Sequence, residues 1–235
     1  VPLFGAGNAR AGLHRLQLSA AVRYDDYSDV GDTTNPKVGI SWEPIDSLNV
    51  RASWGTSFRA PLITQIYGNS NNLYNQNYVN PAGGPTLPGT ALSGENLGLG
   101  PEEATTWSAG FDWKPMSNLQ LSLTYFDVEY ENQVEAYLGN LSILSQEQYL
   151  EGTDIILRGT AARDRVLQLL AQGITVAAGT FPGGNPANVN LFVDGRGQNL
   201  GMSLTQGLDF QGTYALDTAS AGTFTLSASG TYLFK

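Results

Sequence analysis

Thr105-Thr106-Trp107-Ser108-Ala109-Gly110-Phe111-Asp112-Trp113-Lys114-Pro115-Met116-Ser117-Asn118-Leu119-Gln120-Leu121-Ser122-Leu123-Thr124-Tyr125 is the stretch on which the fold turns. Before the proline, Trp107, Ala109, Phe111 and Trp113 alternate with Thr106, Ser108, Gly110 and Asp112. After it, Leu119, Leu121, Leu123 and Tyr125 alternate with Gln120, Ser122 and Thr124. Successive side chains of a strand point to opposite faces, so a period of two means one apolar and one polar face. Pro115-Met116-Ser117-Asn118 between them is a tight turn built from breakers. The stretch therefore predicts an antiparallel hairpin with two chemically different faces.

The same split recurs outward in both directions. Leu16, Leu18, Ala20, Val22 and Tyr24 oppose Arg15, Gln17, Ser19, Ala21 and Arg23. Val38, Ile40 and Trp42 oppose Lys37, Gly39, Ser41 and Glu43, and Leu48, Val50, Ala52 and Trp54 oppose Asn49, Arg51, Ser53 and Gly55. Leu204, Leu208, Phe210, Tyr214 and Leu216 oppose Thr205, Asp209, Gln211 and Thr213. Phe224, Leu226, Ala228, Tyr232 and Phe234 oppose Thr223, Thr225, Ser227, Ser229 and Thr231. That makes about seven strands of roughly ten residues, the length a tilted membrane strand needs.

Connections alternate in length. Residues 44–47, 115–118 and 217–222 are tight turns; residues 25–36, 60–103 and 131–199 are a moderate, a long and a longer loop. Loops that long are uncommon in compact domains and are usually functional. Short turns at one end and long loops at the other are the layout of an outer-membrane barrel. The longest loop predicts a helix near 161–172, with Val166, Leu169 and Leu170 on one face.

Composition agrees with such a sheet. Only 14% of the 235 residues are charged and 41% are hydrophobic, with 28 glycines. The net charge of -9 leaves no basic stripe for phosphates, which excludes a nucleic-acid partner. There are no cysteines, hence no disulfide framework and no thiolate metal site. No apolar run reaches the ~18 residues of a spanning helix. Val1-Pro2-Leu3-Phe4-Gly5 has neither a basic n-region nor an apolar h-region, so the chain is expected to be mature, trimmed or cut from mid-protein. Aromatics near strand ends (Tyr24, Trp42, Trp107, Trp113, Tyr125, Tyr214, Tyr232) suit the headgroup level of a bilayer. The alternative is a soluble β-sandwich that binds a ligand or glycan, whose inner face uses the same residue types.

Several segments resemble those of TonB-dependent receptors. Val22-Arg23-Tyr24-Asp25-Asp26-Tyr27-Ser28-Asp29-Val30-Gly31 followed by Asn35-Pro36-Lys37-Val38-Gly39-Ile40-Ser41-Trp42-Glu43-Pro44 resembles a strand, outer loop and return strand of that barrel. Arg51-Ala52-Ser53-Trp54-Gly55-Thr56-Ser57-Phe58-Arg59-Ala60-Pro61 resembles its strand ending in Phe-Arg-Ala-Pro. Residues 99–106 with Gly110-Phe111-Asp112-Trp113-Lys114-Pro115, and residues 193–201 with Gly207-Leu208-Asp209-Phe210, resemble later strands in the family's order. The resemblance implies a plugged barrel of about 22 strands in the outer membrane of a Gram-negative bacterium. It implies import of a siderophore-iron complex, cobalamin or a glycan with energy from the TonB complex. The implied partners are a plug domain, the remaining barrel strands, TonB, outer-membrane lipid and the substrate, with no cofactor. No plug is recognisable, and about a third of the strands are present. The chain is therefore expected to be one partial barrel domain over 1–235, inactive by itself.

Candidate residues follow from the faces. Leu18, Val50, Trp107, Phe111, Leu121, Leu123, Phe210 and Leu226 are expected to face lipid. Arg51 and Arg59, on the polar face, read either as lumen groups that meet a plug or anionic substrate or as charges paired within the wall. Residues 69–80 interleave amides with rings, so Tyr74, Tyr78, Asn75 and Asn77 read as a ligand surface or as a plain solvated loop. Asp194-Gly195-Arg196-Gly197-Gln198-Asn199 lacks the acidic series of a calcium loop and reads as a turn. Enzyme readings find little support. His14 is the only histidine, so no metal set forms around it. No nucleophile elbow, phosphate loop or dinucleotide fingerprint occurs. Glu102-Glu103 and Glu129 with Glu131 read as solvated strand-end charge, not as a glycosidase pair.

Overall fold

The computed structural model describes residues 1–28, 30–68, 70–218 and 220–234, and among them are thirteen strands, two α-helices and three short 3-10 helices. Asp29, Asn69, Ala219 and Lys235, which belong to segments quoted above or end the chain, lie outside them. In chain order the first elements are β1 (Pro2–Phe4), β2 (Arg15–Tyr27), β3 (Gly31–Ile45), β4 (Leu48–Arg59), α1 (Ile63–Ile66), β5 (Asn72–Tyr78) and β6 (Leu87–Ser93). There follow β7 (Glu102–Met116), β8 (Leu119–Ala136), β9 (Ile156–Arg158), α2 (Gly159–Ala171), β10 (Thr175–Ala178), β11 (Leu191–Asp194), β12 (Gly197–Thr218) and β13 (Gly222–Leu233). They form an eight-stranded sheet, β1-β2-β3-β4-β7-β8-β12-β13, and a five-stranded sheet, β10-β5-β6-β11-β9. Two units correspond to them: Val1–Arg59, Pro101–Asn132 and Met202–Lys235, and Ala60–Gly100 with Gln133–Gly201.

The first unit is the antiparallel meander that alternation predicts, and its seven long strands are the seven read from the sequence. Register carries each face across the sheet. Leu18 pairs with Ile40, and Ile40 with Ala52. Val50 pairs with Phe111, and Phe111 with Leu123. Tyr214 pairs with Leu226. Residues 25–36, expected as a loop, instead complete the β2–β3 hairpin through Asp25↔Thr33, Asp26↔Asp32 and Tyr27↔Gly31. Gly31 adopts φ +85°, which a side chain disfavours, and the Tyr27 ring meets Phe58 edge-on at 5.6 Å.

This sheet has no core of its own. Ala104 is the one buried hydrophobic side chain among its described residues. The apolar face stays open: Leu18 is 41% exposed, Trp107 56% and Leu226 64%. A sandwich would bury that face ~10 Å from a second sheet. The soluble-sandwich alternative therefore fails on the uncovered face.

The second unit is what residues 60–103 and 131–199 become instead of open loops. Its sheet is mixed: β10 pairs parallel with β5 and β11 parallel with β6, while β5–β6 and β11–β9 are antiparallel. Both faces are covered. Leu73, Leu92 and Phe192 pack with Ala162, Val166 and Leu169 of α2. Tyr78, Leu191 and Val193 pack with Tyr137, Ile143 and Leu144. All four residues of β11 are buried, which explains the unbroken apolar run Leu191-Phe192-Val193. The helix expected near 161–172 is α2, with Leu170 half-buried beside the cluster.

Candidate functional site

On the polar face of the first unit, Arg51 sits mid-strand in β4 opposite Ser41 and Gly110. Its guanidinium donates from Nη1 to Asp112 Oδ2 and from Nη2 to Thr124 Oγ1, both at 2.6 Å. Thr124 lies two strands away, so the side chain crosses β7 over Gly110. A Cβ at residue 110 would collide with Leu123 O and lie 2.9 Å from Thr124 Oγ1. Glycine keeps that crossing open. Next to it, Arg51, Ser122, Thr124, Asp209, Gln211 and Thr231 are among the residues that line a polar cavity of about 410 Å3. Thr231 Oγ1 donates to Asp209 Oδ1 at 2.6 Å, leaving hydroxyls and amides as the main lining.

Arg59, the last residue of β4, pairs in register with Glu102, the first of β7. The contact is bidentate: Nη2 to Oε1 at 2.7 Å and Nε to Oε2 at 2.6 Å. Tyr130 Oη donates to Glu102 Oε2 at 2.6 Å. Glu102 is 1% exposed, so it is not the solvated strand-end charge its position suggests. A buried carboxylate needs its charge and lone pairs satisfied, and Arg59 with Tyr130 does both. Arg51 and Arg59 therefore share a face, and each is paired to a carboxylate in the wall.

On the opposite face lie the eight residues expected to meet lipid. Leu18, Trp107, Phe210 and Leu226 are exposed, and Val50, Phe111, Leu121 and Leu123 are half-buried against their cross-strand neighbours. Trp54 and Trp107 sit with ring centroids 5.9 Å apart. Phe210 lies over Gly230, where a Cβ would approach its ring to 2.7 Å. Along β8 this face reads Leu121, Leu123, Tyr125 and then Asp127, Glu129, Glu131. The apolar band ends there, where a headgroup region would begin.

Tyr74, Asn75, Asn77 and Tyr78 come together on β5 of the second unit, not in a solvated loop. Tyr78 is fully buried, accepts a hydrogen bond from Gln76 Nε2 at 2.9 Å, and burial pushes its phenol up to about 12. Asn75 Oδ1 accepts from Thr90 Oγ1 at 2.6 Å. Tyr74 is half-buried and Asn77 is exposed. Sequence reasoning missed the buried roles of Glu102 and Asp194. Asp194 carried a local signal, since it ends the apolar run Leu191-Phe192-Val193 two residues before Arg196, its ion-pair partner at 2.6 Å; Glu102, between Pro101 and Glu103, carried none.

A family model described as TonB dependent receptor-like, beta-barrel, matches residues 3–234. The chain belongs to the TonB-dependent receptor β-barrel family. Members of this family are receptors of the Gram-negative outer membrane, not enzymes. The receptor barrel is 27% identical over 118 residues to the vitamin B12 transporter BtuB of Vibrio cholerae, half of this chain and 15% of that one. It superposes with TM-score 0.58 on the siderophore receptor PirA from Acinetobacter baumannii, at 18% identity, covering 93% of this chain and 25% of PirA. The same score relates it to the ferric enterobactin receptor PfeA from Pseudomonas aeruginosa, at 19% identity over 94% and 25%. At these identities the structures speak for fold alone. The receptor barrel thus spans about a quarter of the solved relatives and 15% of the curated one.

Proposed function

We propose that this chain is barrel wall and loop structure of an outer-membrane active transporter that imports a scarce nutrient, a siderophore-iron complex, cobalamin or a glycan. The observation that carries this reading is the sheet's division into an uncovered apolar face and a polar face whose arginines are paired, in a chain matched by the receptor-barrel family over 3–234. The apolar face meets outer-membrane lipid through Leu18, Val50, Trp107, Phe111, Leu121, Leu123, Phe210 and Leu226. The polar face lines the lumen, where a plug domain and the passing substrate meet Arg51 and Arg59. Tyr74, Asn75 and Asn77 belong to the substrate-recognition unit, with Tyr78 as its internal support. Energy comes from the TonB complex, engaged through a plug domain. Alone, the chain is an open sheet with β1 and β13 as free edges, and it transports nothing by itself.

Uptake by whole cells tests the proposal. Cells expressing the full-length protein are given iron-55 siderophores, cobalt-57 cyanocobalamin and radiolabelled maltooligosaccharides, with and without a functional TonB system. The expected result is accumulation of one class that is lost when TonB is removed. Accumulation indifferent to TonB, or none of any class, would sink it.

A further inference from the structure

An apolar pit of about 290 Å3 opens on the uncovered face of the first unit. Leu18, Val38, Ile40, Ala52, Trp54 and Trp107 are among the residues that line it. Register explains the hollow. Ala52 pairs with Ala109, while the pairs on either side along this face are Val50 with Phe111 and Trp54 with Trp107. Two small side chains therefore lie between two ridges of large ones. The volume falls just under the ~300–1,000 Å3 of drug-sized sites, so the pit suits a slender apolar chain.

Beyond the tryptophans the same face changes character. Trp107 pairs with Asp127, Thr105 with Glu129 and Glu103 with Glu131. The step from Trp107 to Thr105 is about 7 Å at ~3.4 Å per residue. A polar cavity of about 160 Å3 lies there, with Thr34, Thr56, Thr105, Glu103, Glu129 and Glu131 among its lining. Like charges directly opposite, as Glu103 and Glu131 are, destabilise a sheet, and a cation between them removes that cost. All three glutamates are exposed, and among the described residues none of them forms an ion pair. Asp127 is already engaged, accepting from Tyr125 Oη at 3.2 Å and from Gln206 Nε2 at 2.6 Å. Among the described residues no three His, Asp or Glu side chains are grouped so as to hold a metal ion. An ammonium meets the need differently, because its three N–H donors reach separate carboxylates. The hydroxyls of Thr34 and Thr105 add donors for ester or phosphate oxygens. Trp54 and Trp107 stand between the two cavities, at the level where amphipathic rings divide hydrocarbon from headgroups.

We propose that the pit holds an acyl chain of one amine-headed glycerophospholipid, whose ammonium sits among Glu103, Glu129 and Glu131. The proposal rests on the lipid-facing reading of this face and adds which lipid the face selects.

The test is native mass spectrometry of the full-length protein in detergent micelles with phosphatidylethanolamine, phosphatidylcholine and phosphatidylglycerol of identical chains. One phosphatidylethanolamine is expected to be retained, at least fivefold more tightly than either of the others. Ala52→Leu, which fills the pit, should weaken it at least fivefold, while Ala20→Leu, on the same face outside the pit, leaves it unchanged. Glu129→Gln combined with Glu131→Gln should abolish the preference over phosphatidylglycerol. Phosphatidylcholine or phosphatidylglycerol held as tightly as phosphatidylethanolamine overturns the proposal, as does full retention in Ala52→Leu. So does phosphatidylglycerol overtaking once Mg2+ is added, since the carboxylates then act through a metal. Tryptophan fluorescence in vesicles of chain-brominated lipid separates the two readings. Quenching that Trp107→Phe diminishes, with no lipid retained in micelles, overturns the site and leaves the face lipid-facing. Quenching that neither Trp54→Phe nor Trp107→Phe diminishes removes both.

Discussion

Glu102 shows what one side chain costs when it leaves water. Its carboxylate is held by two contacts from Arg59 and one from Tyr130. Removing one partner of a buried charge leaves the other unsatisfied. Arg59 itself is 64% exposed in its side chain, so water relieves part of that cost. Arg59→Ala is expected to lower stability by about 1–2 kcal/mol, and adding Glu102→Gln should recover part of it. Denaturant melts of the single and double variants check this; strictly additive losses would contradict the coupling. Gly110 is a second case. Gly110→Val puts a branched side chain into the path of Arg51 and against Leu123 O, and should cost about 1–3 kcal/mol, measured by the same melts. Neither contact was legible from the residues alone. Glu102 looked like strand-end charge because its partner stands 43 positions away.

Among the elements, β8 carries the sharpest depth marker. Its apolar face runs Leu121, Leu123, Tyr125 before the acidic residues begin. In the full-length protein, Leu123→Arg should cost about 2–4 kcal/mol, because it lies toward the middle of the apolar band. Leu121→Arg, nearer the turn after Met116, should cost less, and Ser122→Arg on the polar face less again. Equal costs at the three positions, from folding titrations into lipid vesicles, would refute the assignment of faces. α2 is an element of the other kind, fixed by a core. Leu169 is 4% exposed, and Leu169→Ala should cost about 2–4 kcal/mol. Hydrogen exchange should show the loss in the second unit, with the β2–β3 ladder unchanged. The helix was readable in the sequence because Val166, Leu169 and Leu170 repeat at helical spacing. Its neighbours were not. β6 follows no clean alternation, since four consecutive residues, 89–92, are buried, and β5 buries only Leu73 and Tyr78 among amides.

For the whole molecule, the two units draw stability from different surroundings. The first keeps its apolar face open, and on the proposed reading lipid covers it, so in buffer without detergent the chain should self-associate through that face and its open edges. Sedimentation with and without detergent checks this. The second unit has its own core, and Tyr78 links that core to pH. A phenol raised from 10.0 to about 12 binds its proton more tightly folded than unfolded. Its contribution is therefore complete below pH 10 and is lost as pH rises toward 12. An absorbance titration should show a late-ionising phase to which Tyr78 contributes, and Tyr78→Phe should reduce that phase by one phenol.

From the sequence alone came the local properties: the seven long strands, their two faces, the tight turns and the helix in the longest connection. A period of two or 3.6 is imposed by backbone geometry within a few residues, so it is written in any short stretch. Residues 105–125 therefore carried the architecture of the large sheet. Tertiary structure alone decided which distant residues meet. It sent Arg51 across Gly110 to Thr124, closed Glu102 under Arg59, and folded residues 60–100 and 133–201 into a mixed sheet. Those outcomes depend on register and burial between residues tens of positions apart, and no local pattern encodes them.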